Sequence, residues 1–323
     1  MLFTACGYKN TQMPETTINQ PAPPGFDAVP VSGSAETAPA GAAAVDGALT
    51  GAPDITGNRL VCLYLSSRAG GLAIDANLNP DGRCNFNCAY CDVDRSQLSR
   101  EPVVDVARLA AELRAMLALV HSDRMQEQAG FQNLPLELRR LRLVALSGDG
   151  EPTLSPVFCE AVETVVHVRA LGGWPFFKLV LLTNASALDQ PRVQRGLRHF
   201  TRQDEIWAKL DAGTQAFFER INRAPDTLAH ILRNILRVAK ERPVVIQSLF
   251  ARMRGQNPPA HEVLEYVARL QELQAAGAQI SSVQIYSANQ ATPNSECTHL
   301  SLAALSGIAR QVREGTGLQV TVH

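Results

Sequence analysis

Short apolar runs alternate with amphipathic segments from about residue 59 to the end of the chain. The apolar runs predict strands at 60–65, 72–78, 141–146, 178–182, 205–210, 244–249, 283–285 and 318–322. Between the runs, apolar residues recur at spacings of three and four, which predicts helices, most clearly from Val106 to Val120. Gly70 and Gly71 separate the first two runs and indicate a hairpin.

This alternation predicts the fold class. Strands that are apolar almost throughout, each followed by a helix, are typical of a parallel sheet covered by helices. About six such units are present, fewer than the eight of a complete barrel. We therefore predict an α/β fold, a partial TIM-type (β/α)6 barrel over residues 59–323. Side chains at the carboxyl ends of its strands are expected to form the functional site.

The N-terminal segment has a different composition. Residues 11–58 contain no Lys or Arg and are rich in Pro, Ala, Gly, Ser and Thr. No amphipathic period runs through them, so burial cannot offset the entropy lost on ordering. We predict that residues 1–58 form a disordered tail.

Charge and cysteine content restrict the functional classes. The 323 residues include 30 basic and 31 acidic ones, a net charge of -1, which gives no general attraction to nucleic acid. No stretch approaches the roughly 18 apolar residues of a membrane span. The residues before Cys6 have the outline of a lipid-attachment box without the rest of a secretory signal, so a cytoplasmic location is expected. Seven cysteines, three of them within eight residues, do not resemble a secreted disulfide framework and suggest a metal or cluster site.

The crowded cysteines are Cys84, Cys88 and Cys91, just after the second strand. Spacings of four and three let three thiolates converge on one object if the loop curls around it. A structural zinc site needs four ligands, and no fourth Cys or His lies nearby. Four irons held by three cysteines would leave one iron open. A zinc knuckle and three metal-free buried cysteines are the alternatives.

A glycine-rich turn follows the strand at 141–146. It contains Gly148, Asp149, Gly150 and Glu151, followed by Pro152. Glycines at a strand end let the backbone approach a ligand, and a carboxylate suits an ammonium group. The alternative is an ordinary turn in which the proline starts a helix.

Polar residues at other strand ends are further candidates. Lys209 and Asp211 occupy alternate positions, hence one face of their strand, and are our catalytic candidates; a salt bridge at the barrel rim is the alternative. Asn184 is either a cofactor contact or a turn residue. Gln247 interrupts an apolar strand, and its buried amide needs a partner. Tyr286 ends its strand and is otherwise a core tyrosine.

The pattern Cys-x-x-x-Cys-x-aromatic-Cys, with Tyr90 as the aromatic, resembles the radical S-adenosylmethionine superfamily. That resemblance implies that Cys84, Cys88 and Cys91 ligate a [4Fe-4S] cluster whose open iron chelates the methionine part of S-adenosylmethionine. One electron from the cluster would then split the cofactor to a 5′-deoxyadenosyl radical, which abstracts hydrogen from a substrate.

The resemblance also implies cofactor contacts. Tyr90 would pack beside the adenine, and Asn184 would lie near the ribose. The turn from Gly148 to Glu151 resembles the family's Gly-Gly-Glu-Pro motif, which binds the methionine amino group, although Asp149 replaces its first glycine and adds a polar contact. The Gln247 amide would find its partner in the cofactor or the substrate, and Tyr286 would lie along the adenine.

Within the superfamily, the order of motifs, ending with Ile-Asn-Arg at 221–223, resembles a group related to the wyosine-type tRNA-modifying Fe–S enzymes. An electron donor such as flavodoxin or ferredoxin is then expected, with a small molecule, peptide or RNA as substrate. A peptide- or protein-modifying radical enzyme, a non-catalytic Fe–S carrier and a zinc-dependent barrel hydrolase remain alternatives. Cys62, Cys159 and Cys297 are too dispersed to predict a second cluster.

Overall fold

The computed structural model describes residues 58–93, 103–128, 130–288 and 296–323. The predicted tail, residues 1–58, lies outside these ranges except for Asn58. The strands are β1 Val61–Ser66, β2 Gly71–Asn77, β3 Leu141–Ser147, β4 Lys178–Thr183, β5 Glu205–Lys209, β6 Val244–Leu249, β7 Arg252–Met253, β8 Ile280–Tyr286, β9 Cys297–Thr298 and β10 Val320–Val322. The helices are α1 Val106–Val120, α2 Phe158–Ala170, α3 Pro191–Leu197, α4 Gln215–Ile221, α5 Leu228–Glu241, α6 Ala260–Ala275 and α7 Leu302–Thr316.

Eight of these strands form one sheet in the order β1-β2-β3-β4-β5-β6-β8-β10. β1 runs antiparallel to β2, with Ser66 opposite Gly71, which confirms the predicted hairpin. All other neighbours in the sheet are parallel. Each of the six strands β2 to β6 and β8 is followed in the chain by a helix, so the predicted (β/α)6 arrangement is confirmed. β10 adds one more parallel strand at the edge.

Alternation along each strand separates two apolar layers. One face carries residues such as Ile74, Val144 and Ile246, which pack in the large core beneath the helices. The other face carries a smaller cluster that joins β1 to β6, made of Tyr64, Ala73, Leu143, Ala145, Val180, Trp207 and Val245. Burial on both faces explains why these strands read as continuous apolar runs.

The sheet curls so that distant strands meet. Arg68, in the turn between β1 and β2, lies 4.1 Å from the ring centroid of Tyr286 at the end of β8. This contact brings the β1–β2 turn against β8, although four strands lie between β2 and β8 in the sheet order. The inner face is therefore concave.

Sequence reasoning missed one small element. β7 and β9 pair antiparallel, with Met253 opposite Cys297, beside the main sheet. Two residues per strand are too few to show a hydrophobic period. Of the helices described, none is long and apolar enough to cross a bilayer.

Candidate active site

The cysteine loop follows β2 and is tied to two other loops at the same edge of the sheet. The Ala89 N–H donates to the Ile221 carbonyl at the end of α4 (2.8 Å), and the Glu151 N–H donates to the Arg83 carbonyl (2.9 Å). Phe86 packs edge-on against Phe218 of α4, with ring centroids 5.6 Å apart. The loop is thus held between the turns that follow β3 and α4.

The three cysteines are partly exposed and lie outside any disulfide. Their sulfur atoms do not all lie within 4.8 Å of one another. Thiolates that share one zinc ion, at about 2.3 Å each, lie roughly 4 Å apart, so in this conformation the three sulfur atoms are not gathered around a single ion. Burial, then the Asp211 carboxylate, raises the pKa of Cys88 to about 12. A thiolate at this position therefore needs a cationic partner.

Two asparagine amides face these sulfurs. Nδ2 of Asn222 lies 3.6 Å from Sγ of Cys88, and Nδ2 of Asn184 lies 3.9 Å from Sγ of Cys84. Amide groups beside thiolates stabilise the charge that the sulfurs carry as ligands. Asn222 was part of the Ile-Asn-Arg resemblance, but its place beside Cys88 was not predicted.

The glycine-rich turn after β3 lies against the cysteine loop. Gly148 has φ of +127°, and a Cβ there would lie 2.9 Å from Cα of Asn77. A Cβ on Gly150 would overlap the carbonyl oxygen of Arg83. Both positions therefore require glycine. Asp149 accepts a 2.6 Å hydrogen bond from Nδ2 of Asn77, and burial raises its pKa.

The Glu151 carboxylate is turned back into the protein, with the residue 2% exposed. Its oxygens accept hydrogen bonds from the Thr183 hydroxyl (2.6 Å) and the Asn184 N–H (2.7 Å). Thr153 adds a backbone and a hydroxyl donor at 3.2 and 2.5 Å. These hydrogen bonds tie the turn that follows β3 to the end of β4. The predicted attraction of Glu151 for an ammonium group stays a prediction.

Lys209 and Asp211 form an ion pair with Nζ and Oδ1 3.5 Å apart. Asp211 also accepts from the Tyr90 hydroxyl (2.5 Å), Asn222 Nδ2 (2.9 Å) and the Leu249 N–H (2.8 Å). Burial alone would lower the pKa of Lys209, but Asp211, followed by Tyr286, raises it above its ordinary value. Lys209 and Asp211 therefore form a charged pair at the carboxyl ends of the strands, and hydrogen bonds tie it to Tyr90, Asn222 and the end of β6.

The Lys209 ammonium also contacts two tyrosines. It donates a 2.6 Å hydrogen bond to the Tyr286 hydroxyl and lies 5.0 and 5.1 Å from the ring centroids of Tyr90 and Tyr286. Gln247, on the same inner face, donates to Oε1 of Gln284 (2.9 Å). The buried Gln247 amide thus has its partner within the sheet, in the Gln284 side chain of the neighbouring strand β8. Cofactor contacts by Tyr90, Tyr286 and Gln247 remain predictions.

Two buried oxygens beside the cysteine loop have no hydrogen-bond partner within the described part of the chain, Oδ1 of Asn79 and Oδ1 of Asn222. Each belongs to a residue that is 2% exposed, and a buried amide oxygen without a donor is costly. Together with the thiols and the glycine turn, these acceptors fit a polar group bound against the loop. The donor set therefore suits an iron–sulfur cluster with a polar ligand.

The strands and helices define a class of fold: the mostly parallel sheet with its helices matches the partial barrel found in radical S-adenosylmethionine enzymes, which confirms the predicted fold class. Among solved structures, it is similar to TYW1 with a lysine–pyruvate adduct bound (16% identity, TM-score 0.54, 80% of this chain and 85% of that chain). It is also similar to Streptococcus suis SuiB bound to S-adenosylmethionine (12%, 0.53, 79% and 52%). A mutant of spore photoproduct lyase is a third (10%, 0.51, 82% and 79%).

All three are radical S-adenosylmethionine enzymes. At 10–16% identity, these similarities establish the fold alone. The chain matches only about half the length of SuiB. No protein-family model matches the sequence, and no curated protein does.

Proposed function

We propose that this chain is a radical S-adenosylmethionine enzyme in which Cys84, Cys88 and Cys91 hold a [4Fe-4S] cluster. When bound, the cluster and S-adenosylmethionine supply a 5′-deoxyadenosyl radical for hydrogen abstraction. The observation that carries the proposal is the open three-thiol loop at the carboxyl ends of a partial barrel, with two amides facing its sulfurs. SuiB, which has the same fold, binds S-adenosylmethionine, and that supports the cofactor.

The chain's own residues then have distinct tasks. Asn184 and Asn222 orient two of the sulfurs, and the turn at Gly148 and Gly150 exposes backbone beside the loop. Asp211 fixes Tyr90 and pairs with Lys209, whose ammonium sits between two tyrosine rings. We assign Lys209 to binding an anionic group such as a carboxylate, and Asp211 to positioning Tyr90 and Lys209. Neither side chain is free to exchange a proton with a substrate, because each is engaged in the ion pair.

The distribution of basic residues bears on the substrate. Arg139, Arg140 and Arg142 are the densest basic cluster in the sequence, and they flank the amino end of β3. The glycine turn and the cysteine loop lie at the carboxyl end of that seven-residue strand, roughly 20 Å away. This separation, with the net charge of -1, favours a small molecule or a peptide over RNA as the substrate. A flavodoxin or ferredoxin would supply the electron.

The test is anaerobic. Protein reconstituted with iron and sulfide is incubated with S-adenosylmethionine and dithionite, and 5′-deoxyadenosine is measured by mass spectrometry. We expect it from the native chain and not from Cys88→Ala, which should also lose most of its iron. Cys297→Ala, in the small β7–β9 pair beside the main sheet, is the matched control and should keep both.

The outcomes separate the alternatives. A full cluster in Cys88→Ala would refute the ligand assignment. An intact cluster without deoxyadenosine, even after RNA and peptide fractions are added, would favour a non-catalytic Fe–S carrier. Zinc in place of iron that is lost in Cys88→Ala, and is therefore held by the cysteine loop, would favour the hydrolase.

A further inference from the structure

Three potential metal ligands meet on the outer helical layer, apart from the cysteine loop. Cys159 and Glu163 lie one turn apart on α2, and His199 follows α3 by two residues. Oε1 of Glu163 is 3.5 Å from Sγ of Cys159 and 3.1 Å from Nε2 of His199. All three ligand atoms lie within 4.8 Å of one another.

These separations match those of a zinc site. Zinc binds sulfur at about 2.3 Å and nitrogen or oxygen at about 2.0–2.2 Å in a tetrahedron. Two ligand atoms at the corners of such a tetrahedron lie roughly 3.3 to 3.6 Å apart. The measured 3.5 and 3.1 Å are within a few tenths of an ångström of that spacing. An ion can therefore enter with small side-chain adjustments.

The backbone around the three ligands is fixed by close helix packing. A Cβ on Gly196 of α3 would lie 2.8 Å from the Phe158 ring and 3.4 Å from Cα of Cys159. Phe158 is fully buried, so it anchors the first turn of α2 against α3. The distance between Cys159 and the segment bearing His199 is thus set by the core and not by the ligands themselves.

We propose that Cys159, Glu163 and His199 form a zinc site with water as the fourth ligand. Three protein ligands of mixed type plus an open position are typical of zinc centres that keep a water. Binding replaces the thiol proton of Cys159 by the metal and releases that proton to solvent, while His199 binds as the neutral imidazole. The thiolate and carboxylate balance the dipositive charge.

The first test is zinc binding by equilibrium dialysis, with zinc and iron counted by mass spectrometry on cluster-loaded protein. We expect one zinc per chain in the native protein and loss of that zinc in Cys159→Ser and in His199→Gln. His167→Gln, an exposed histidine on the same helix, is the matched control and should keep it. Iron content should be equal in all four proteins.

The second test separates this site from the cysteine loop. In the Cys88→Ala background one zinc should remain, and adding Cys159→Ser should remove it, whatever the fate of the iron–sulfur proposal. Zinc should also raise the urea midpoint of the native chain and leave that of Cys159→Ser unchanged. Equal zinc content in native and Cys159→Ser proteins, in either background, would overturn the proposal.

Discussion

Gly150 is the position where the glycine turn and the cysteine loop approach most closely. In a Gly150→Ala variant, the new methyl would overlap the Arg83 carbonyl oxygen and lie 2.7 Å from both the Arg83 carbonyl carbon and Cβ of Asn79. Two of these atoms are backbone, which cannot rotate away. The loop must therefore move relative to the turn.

The expected loss of stability has two contributions, a steric clash and a broken hydrogen bond. Overpacking against fixed backbone costs about 1–3 kcal/mol. Separation of the loops also breaks the 2.9 Å bond from the Glu151 N–H to Arg83, worth about 1 kcal/mol. We expect the free energy of unfolding to fall by roughly 2–4 kcal/mol. The displaced Cys84 should also lower the iron bound per chain.

Urea unfolding and iron content after anaerobic reconstitution measure the two effects. Gly307→Ala is the control, because Gly307 lies in α7 with open space around its Cβ position and no positive φ. There the alanine should stabilise the chain by about 0.5–1 kcal/mol and leave the iron unchanged. A Gly150→Ala protein with native stability and native iron content would refute the close approach of the two loops.

Three further predictions concern buried carboxylates. Burial raises the pKa of Asp75 from 3.8 to about 7, so the folded chain keeps a proton that the unfolded chain has lost between those values. The free energy of unfolding should therefore fall by roughly 2–3 kcal/mol from pH 5 to pH 8. Asp75→Asn should remove this dependence of stability on pH, measured by Trp207 fluorescence in urea, and an unchanged pH dependence would contradict the assignment. Asp211→Asn leaves the Lys209 ammonium without its carboxylate and should cost about 3 kcal/mol in urea unfolding, partly recovered by adding Lys209→Met; native stability of the single variant would count against a structural ion pair. Glu151→Gln turns an amide N–H2 toward groups that are themselves donors and should lower the thermal midpoint, at about 1–3 kcal/mol for each donor left unpaired, whereas an unchanged midpoint would mean that those hydrogen bonds contribute little.

The strands of the barrel could be predicted because burial on both faces leaves a strong one-dimensional signal. The run at 244–249 predicted β6 with its exact limits, and 178–182 missed only Thr183 of β4. The place of the cysteine loop followed from the same pattern, since it comes directly after β2. β7 and β9 gave no such signal, because each has two residues.

Partnerships between side chains could not be predicted, because they depend on register and on distant loops. Gln247 meets Gln284 only because β6 and β8 are neighbours and pair these two positions directly. Asn222 reaches Cys88 because the end of α4 returns to the cysteine loop. The partners of Glu151 come from Thr153, two residues along the chain, and from Thr183 and Asn184 at the end of β4, and the second pair depends on how β3 and β4 are placed in the sheet.

The hydrogen bonds between the cysteine loop and the end of α4 have a consequence for biosynthesis. Cys88 and Asn222 are separated by 134 residues. At about 5–20 residues per second, a ribosome needs roughly 7 to 27 seconds to add that stretch. The three thiols therefore leave the ribosome well before the segment that fixes their geometry. During this interval the contacts with α4 that hold the loop do not yet exist, so assembly of the proposed cluster is expected to follow synthesis of α4.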